Sequence, residues 1–151
     1  MVFGEVGGNA YNIVFILHIL AVVCALAPAI AHPIMARQAK QLDPGARNTV
    51  YGFLAFNSQR VYGSALILAG VFGFGLVGMS DDVYEMSQGW LITSIIIWVA
   101  MIGILHALLV PAERALAAGD PGAESKVGAL GGVMTVLALV MFYLMVFKPG
   151  L

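Results

Sequence analysis

Three histidines are the side chains of this sequence best suited to hold a metal or a haem iron. His18 and His32 lie in the run Tyr11–Ala36, which contains no Asp, Glu, Lys or Arg, and His106 lies in a later apolar run. An ionisable side chain inside a membrane span is costly, and it therefore marks a candidate functional site. A neutral imidazole is a frequent ligand of haem iron and of copper. Each histidine could instead be a packing residue that is hydrogen-bonded to a neighbouring helix.

Four charge-free runs must position these histidines, and each is long enough to cross a bilayer. The chain has 151 residues, of which 61% are hydrophobic, and its mean hydropathy is +0.96. Soluble domains are roughly 45–50% apolar. A span needs about 20 residues at a rise of about 1.5 Å each. The sequence therefore predicts an all-α, polytopic membrane protein with one transmembrane domain over residues 1–151, a bundle of four helices at about 11–36, 61–80, 88–112 and 127–147.

Basic residues are distributed unevenly between the segments that flank the spans. Six of the seven Lys and Arg lie in residues 37–60 and 114–126. Three acidic residues lie in 81–85, and Glu5 precedes the first span. Because Lys and Arg are enriched on the cytoplasmic side, both termini are predicted on the outer side. The composition predicts the lipid bilayer as a partner and no association with nucleic acid.

Depth in the membrane decides which histidines could share one cofactor. At about 1.5 Å per residue, His18 lies about 10 Å below Tyr11, and His32 lies about 31 Å below it. By the same count His106 lies about 24 Å below Trp90. His32 and His106 are therefore expected near the inner surface, and His18 in the outer half.

The inner histidines could form a bis-histidine site for haem b. Such a site needs both ligands at one level, and His32 and His106 meet that condition on different helices. Arg37, Arg60 and Arg114 lie near the same level and could hold the haem propionates, because guanidinium groups suit carboxylates. The alternative is that His32 is an interfacial residue and that the arginines are ordinary anchors on the cytoplasmic side.

His18 has a different potential partner in the fourth span. Met141 and Met145 are expected near the depth of His18, and histidine with methionine can ligate haem iron or copper. Methionine is also a common gap-filler in apolar cores. The alternative for His18 is a hydrogen bond to a carbonyl on a neighbouring helix, or to Thr93 or Ser94.

Small residues and turns indicate how the helices are arranged. Ala65, Ala69 and Gly73 recur at four-residue spacing, a face that would admit either a neighbouring helix or a flat ring. The tetrapeptide Asp-Pro-Gly-Ala occurs at Asp43 and again at Asp120, which is typical of a helix start. Its recurrence suggests two repeated helical hairpins, with coincidence as the alternative. Residues 47–59 either extend the second span or form a separate interfacial helix.

The sequence contains none of the usual catalytic constellations of soluble enzymes. Cys24 is the only cysteine, and no glycine-rich phosphate loop precedes a helix. No carboxylate lies within a predicted span, although ion pumps depend on such groups. The protein is therefore predicted not to be an enzyme on its own, and an ion pump is disfavoured.

The segment Phe15–Val23, with Leu17-His18-Ile19-Leu20 at its centre, resembles the first helix of a superfamily of small bacterial membrane proteins. This superfamily includes copper-resistance D-like proteins, membrane protoporphyrinogen oxidases and several uncharacterised four-helix families, one of which looks closest. The resemblance implies a bacterial cytoplasmic membrane, and a haem- or copper-linked role for His18.

Two hypotheses for function follow. The first is a membrane protein that binds haem b, or copper, and transfers electrons or handles the cofactor. The candidate ligands are His18, His32 and His106 for haem, and His18 with Met141 for a metal. The second is a cofactor-free subunit that packs on a larger membrane complex or on copies of itself.

Overall fold

The computed structural model describes residues 6–150, and Glu5 lies outside that range. It contains four long helices, two of which include a π-helical segment. All four are long and apolar enough to cross a bilayer, which confirms the predicted all-α membrane bundle. The elements are α1 (Asn9–Ala39), α2 (Pro44–Asn57), the first π segment (Ser58–Tyr62), α3 (Gly63–Gly78), α4 (Gly89–Ile104), the second π segment (Leu105–Leu109), α5 (Val110–Ala117) and α6 (Ala123–Phe147).

The second long helix runs without interruption through α2, the first π segment and α3, from Pro44 to Gly78. Residues 47–59 therefore extend the second span and do not form a separate interfacial helix. Asp43 starts this helix, because its Oδ1 accepts hydrogen bonds from the Gly45 and Ala46 amides at 3.0 Å each. Those amides have no partner within the helix, so the side chain satisfies them.

The second Asp-Pro-Gly-Ala turn is similar but less complete. Asp120 Oδ1 accepts one bond, from the Gly122 amide at 2.9 Å, and α6 begins at Ala123. The π segments lie in the second helix of the first hairpin and in the first helix of the second hairpin, so they are not at equivalent positions. The duplication therefore stays a prediction.

The bundle has two chemically different ends. The basic end carries the connections 40–43 and 118–122, and six of the seven Lys and Arg lie towards it. The acidic end carries the connection 79–88 between α3 and α4. The two names describe composition only and do not say which side of the membrane each end faces.

Small residues on α3 allow close contact with its neighbours. α1 packs along α3, α4 packs along α6, and contacts between α3 and α4 and between α1 and α6 complete the ring. Gly70 leaves room for the indole of Trp98 on α4, whose Nε1 donates to the Leu66 carbonyl at 2.8 Å. The imidazole of His18 on α1 packs against Gly73, where an added Cβ would make ordinary contact, 3.4 Å from Cε1. The face formed by Ala65, Ala69 and Gly73 thus contacts the His18 ring, whereas Trp98 lies against Gly70, outside that face.

The outward surface of the bundle is apolar. In the most hydrophobic stretch of α1 only 6% of residues are buried, and in that of α6 only 11%. Large side chains such as Ile13, Ile30 and Val146 are more than half exposed. Since such a surface is stable in hydrocarbon and not in water, the surrounding medium is the lipid bilayer.

Candidate functional sites

A cavity of about 390 Å³ lies between α1, α3, α4 and α6, in the half of the bundle towards the acidic end. We call it the central cavity. Its wall is almost entirely apolar, and its volume falls within the roughly 300–1,000 Å³ typical of small-molecule sites. The lining of the central cavity includes His18, Gly73, Tyr84, Trp98, Met141 and Lys148.

His18 is held in a defined orientation at the wall of the central cavity. Its Nδ1 lies 2.8 Å from the Ala69 carbonyl oxygen on α3. Because a carbonyl can only accept, Nδ1 carries the proton, and Nε2 is left with a free lone pair. Ligating histidines usually donate their other ring N–H to a carbonyl or a carboxylate in this way. His18 is thus prepared as a ligand, although the same bond also satisfies a histidine that only packs.

The alternative prediction for His18 was a hydrogen bond to a carbonyl on a neighbouring helix, or to the hydroxyl of Thr93 or Ser94. A carbonyl on a neighbouring helix is indeed its partner. The suggested hydroxyl partners are not, because Thr93 and Ser94 each donate to a carbonyl of their own helix, at 2.7 Å. Both hydroxyls are thereby satisfied within α4.

His18 and Met141 both line the central cavity. Met141 is half-buried on α6, and Met145 lines the wall one turn further along. Lys148 lines the cavity at the acidic end of the bundle, where its Nζ lies 5.0 Å from the centre of the Tyr84 ring. The central cavity therefore combines an imidazole nitrogen, thioether sulfurs and one ammonium group in apolar surroundings.

These groups fit haem better than a bare ion. No cluster of three or more His, Cys, Asp or Glu side chains that could hold a metal ion occurs within residues 6–150. Haem iron requires only one or two protein ligands, because the porphyrin supplies the others. A large apolar wall with one imidazole and several thioethers suits a flat, mostly apolar cofactor.

A second group of polar side chains lies towards the basic end. Glu113 of α5 is buried, with 4% of its surface exposed. Its Oε1 accepts a hydrogen bond from Ser58 Oγ at 3.0 Å and lies 3.3 Å from His32 Nδ1. The Tyr62 ring packs edge-on against the His32 ring, with their centres 5.3 Å apart. We call these four residues the basic-end cluster.

Two atoms of the basic-end cluster are buried without a hydrogen-bond partner among the described residues. They are His32 Nε2 and Glu113 Oε2. Buried polar atoms are nearly always paired, with protein groups or with ordered water, so each of these two atoms needs a partner that the described side chains do not supply. The cluster is not a hydrolase triad, because Ser58 donates to the carboxylate and not to an imidazole nitrogen.

His106 lies in the second π segment, next to Gly63, which follows Tyr62 of the basic-end cluster. Its imidazole packs over Gly63, where an added Cβ would lie 2.7 Å from Cε1 and 2.9 Å from Nε2. Gly63 directly follows the first π segment, so His106 and His32 both lie against this region. Arg37 and Arg60 are exposed at the same end. The inner haem site built from these residues stays a prediction.

Glu113 is the residue that sequence reasoning missed, and the prediction that no carboxylate is buried in a span was wrong. The predicted third span ended at residue 112, whereas the helix continues to Ala117. A signal was present in the spacing. Val110, Glu113 and Ala117 follow each other at three and four residues, which places the carboxylate in the middle of an apolar face.

No protein-family model, characterised protein or solved structure matches this chain. Function is therefore inferred from the side chains of the central cavity and of the basic-end cluster.

Proposed function

We propose that this chain is a haem b-binding protein of a bacterial cytoplasmic membrane, with an electron-transfer or cofactor-handling role. His18 and Met141 are the proposed iron ligands. The observation that carries the proposal is the bond between His18 Nδ1 and the Ala69 carbonyl, which leaves Nε2 free at the wall of a cavity that Met141 also lines. Copper bound by the same two side chains is the weaker alternative. A copper ion lacks the ligands that a porphyrin supplies to iron, and no group of three or more His, Cys, Asp or Glu within residues 6–150 could replace them.

Each proposed role follows from the position of the side chain. The Ala69 carbonyl fixes the tautomer of His18 and the direction of its ring. Apolar residues around the cavity exclude water, and this low polarity influences the redox potential of any bound iron. Lys148 supplies a cation at the acidic end of the cavity that can pair with a carboxylate. When bound, haem supplies reversible one-electron chemistry.

The orientation is part of the proposal and comes from the charges. Six of the seven Lys and Arg lie towards the basic end, so that end is assigned to the cytoplasm. The central cavity would then lie in the outer half of the membrane. A cysteine placed at Asp82, in the exposed connection of the acidic end, should react with an impermeant thiol reagent added outside intact cells.

An optical spectrum of the purified protein tests haem binding. The protein should be purified from cells supplied with haem precursor, in mild detergent, and scanned before and after reduction. A Soret band that is abolished by His18→Ala and altered by Met141→Leu is expected. His106→Ala is the matched control, because His106 packs over Gly63 and does not line the central cavity.

Two results would count against the proposed site. Absence of a Soret band and of bound copper in the wild-type protein would remove the cofactor altogether. Loss of the band in His106→Ala, with retention in His18→Ala, would move the cofactor to His32 and His106. In that case Arg37 and Arg60 would become the candidates for binding the propionates.

A cofactor-free subunit, in a homo-oligomer or a larger complex, is the second candidate function, and α6 provides a specific observation for it. Gly128 and Gly132 are exposed at four-residue spacing, and an added Cβ at either would meet nothing within 4 Å. Such spacing often allows two membrane helices to pack closely. If α6 mediates association, Gly132→Leu should reduce the mass measured in mild detergent, whereas Gly103→Leu on α4 should not. A wild-type monomer without copurifying subunits would argue against this function.

A further inference from the structure

Glu113 is the only buried carboxylate among the described residues, and it lies within a helix long enough to span the membrane. The exposed acids are Asp43, Asp81, Asp82, Glu85, Asp120 and Glu124. An ionised carboxylate is costly in a low-dielectric interior unless a cation pairs with it. Its protonation state is therefore the central question for this part of the protein.

The only Lys, Arg or His side chain within 4.0 Å of the Glu113 carboxylate, in the part of the chain that the structure describes, is His32. Other elements packed against α5 carry ionisable groups that are not paired with it. Arg114, its neighbour in sequence, donates instead to the Gln59 side chain. The remaining groups on those elements are Arg47 and Tyr51 of α2, Arg60 and Tyr62 of the first π segment, His106 of the second, and Glu124, Lys126 and Tyr143 of α6.

Two protonation arrangements of the Glu113 and His32 pair are chemically possible. The carboxylate can be ionised beside an imidazolium, or the carboxylic acid can lie beside a neutral imidazole. These states differ only in the position of one proton between Nδ1 and Oε1, which are 3.3 Å apart. Ser58 stabilises the ionised carboxylate, because its hydroxyl donates to Oε1. His32 Nε2 and Glu113 Oε2 have no hydrogen-bond partner among residues 6–150, so their lone pairs are the positions open to a further proton.

We propose that Glu113 and His32 form a membrane-embedded proton-binding site that exchanges protons with water at the basic end. A proton that arrives at His32 Nε2 gives an imidazolium, and release of the Nδ1 proton to Glu113 Oε1 leaves a neutral imidazole and a carboxylic acid. The reverse steps return the proton. No other reactant is required, and the charge of the pair rises by one for each proton taken up.

The backbone around this pair also differs from a regular helix. Ser58 opens the first π segment, and the second π segment ends at Leu109, directly before α5. Segments of this kind free carbonyls from the regular pattern and frequently occur at functional sites. The proton-binding site lies at the opposite end of the bundle from the central cavity, so it does not depend on haem binding.

Labelling with dicyclohexylcarbodiimide tests the proposal, because this apolar reagent reacts with protonated carboxyl groups in apolar surroundings. The full-length protein should be treated in liposomes at a series of pH values, digested and analysed by mass spectrometry. Labelling of Glu113 that decreases as the pH rises is expected. Glu113→Gln should lose the label, and Glu124→Gln, an exposed acid at the same end, should keep it. His32→Asn should extend labelling to higher pH, because it removes the only positive partner.

Infrared spectroscopy provides a second measurement that does not require a folded Glu113→Gln protein. A carboxylic C=O band that depends on pH and shifts in heavy water is expected in the wild-type protein. Ser58→Ala retains the carboxyl group and removes a donor to Oε1 that stabilises the ionised carboxylate, so the band should persist to higher pH. Glu113 that is unlabelled at every pH, or labelled independently of pH, would overturn the proposal. So would an infrared spectrum without a pH-dependent carboxylic band, since Glu113 would then be a permanently ionised structural residue.

Discussion

Replacement of Gly70 by alanine should destabilise the bundle, although alanine is the better helix former. Gly70 lies in α3 with the Trp98 indole directly against it, and an added Cβ would lie 2.7 Å from Trp98 Nε1 and closer still to its ring carbons. The indole cannot retreat freely. Its Nε1 donates to the Leu66 carbonyl at 2.8 Å, and its ring packs edge-on against Phe74 at 5.8 Å between centres.

The expected magnitude follows from two opposing terms. Gly→Ala in a helix interior contributes about 1 kcal/mol of stability where space is open. Overpacking a close contact typically costs about 1–3 kcal/mol, and loss of the Trp98 hydrogen bond costs roughly 0.5–1.5 kcal/mol more. Gly70→Ala is therefore expected to lower the free energy of unfolding by about 0.5–3.5 kcal/mol.

Gly103→Ala on α4 is the matched control, because an added Cβ there would meet nothing within 4 Å. It should leave stability unchanged or raise it by up to about 1 kcal/mol. Both variants should be unfolded in the same mild detergent, with near-ultraviolet circular dichroism of the tryptophans as the signal. If Gly70→Ala is as stable as Gly103→Ala, the close packing of Trp98 on α3 is wrong.

Two further predictions concern the basic end. Asp43→Ala should lower the free energy of unfolding by about 0.5–2 kcal/mol, because the Gly45 and Ala46 amides lose their acceptor. Thermal unfolding measures this loss, and an unchanged midpoint would contradict the role of Asp43 as the helix cap. The exposed Glu124 carboxylate bonds to Lys40 and raises the pKa of that ammonium group, so Glu124→Gln should lower the Lys40 pKa in a nuclear magnetic resonance titration. Because the folded-state pKa of Lys40 is raised, any stability from this pair is present at neutral pH and is lost only as the pH rises through that pKa.

The helices and their medium could be predicted because they depend on local composition. Four charge-free runs of sufficient length require a bilayer, whatever their detailed packing. The start of α2 was equally local, since Asp43 followed by Pro44 is a strong capping signal. The presence of a hydrogen-bonded carbonyl beside His18 could also be expected, because a buried imidazole needs a partner.

The remaining features depend on contacts between distant residues. Ala69 is 51 positions from His18, and Ser58 is 55 positions from Glu113, so neither partner could be identified from spacing. Glu113 directly follows a charge-free run, so composition places it at the end of the span and gives no sign of its burial. The π segments have no compositional signal that distinguishes them from the α-helix around them.

The comparison of His18→Ala with His106→Ala in the reduced-minus-oxidised optical spectrum tests the central claim most directly. His18 lies at the wall of the central cavity with Nε2 free, whereas His106 packs over Gly63 outside it. We expect the haem signal of the wild-type protein to persist in His106→Ala and to disappear in His18→Ala. A signal that persists in His18→Ala would contradict the assignment of His18 as the ligand.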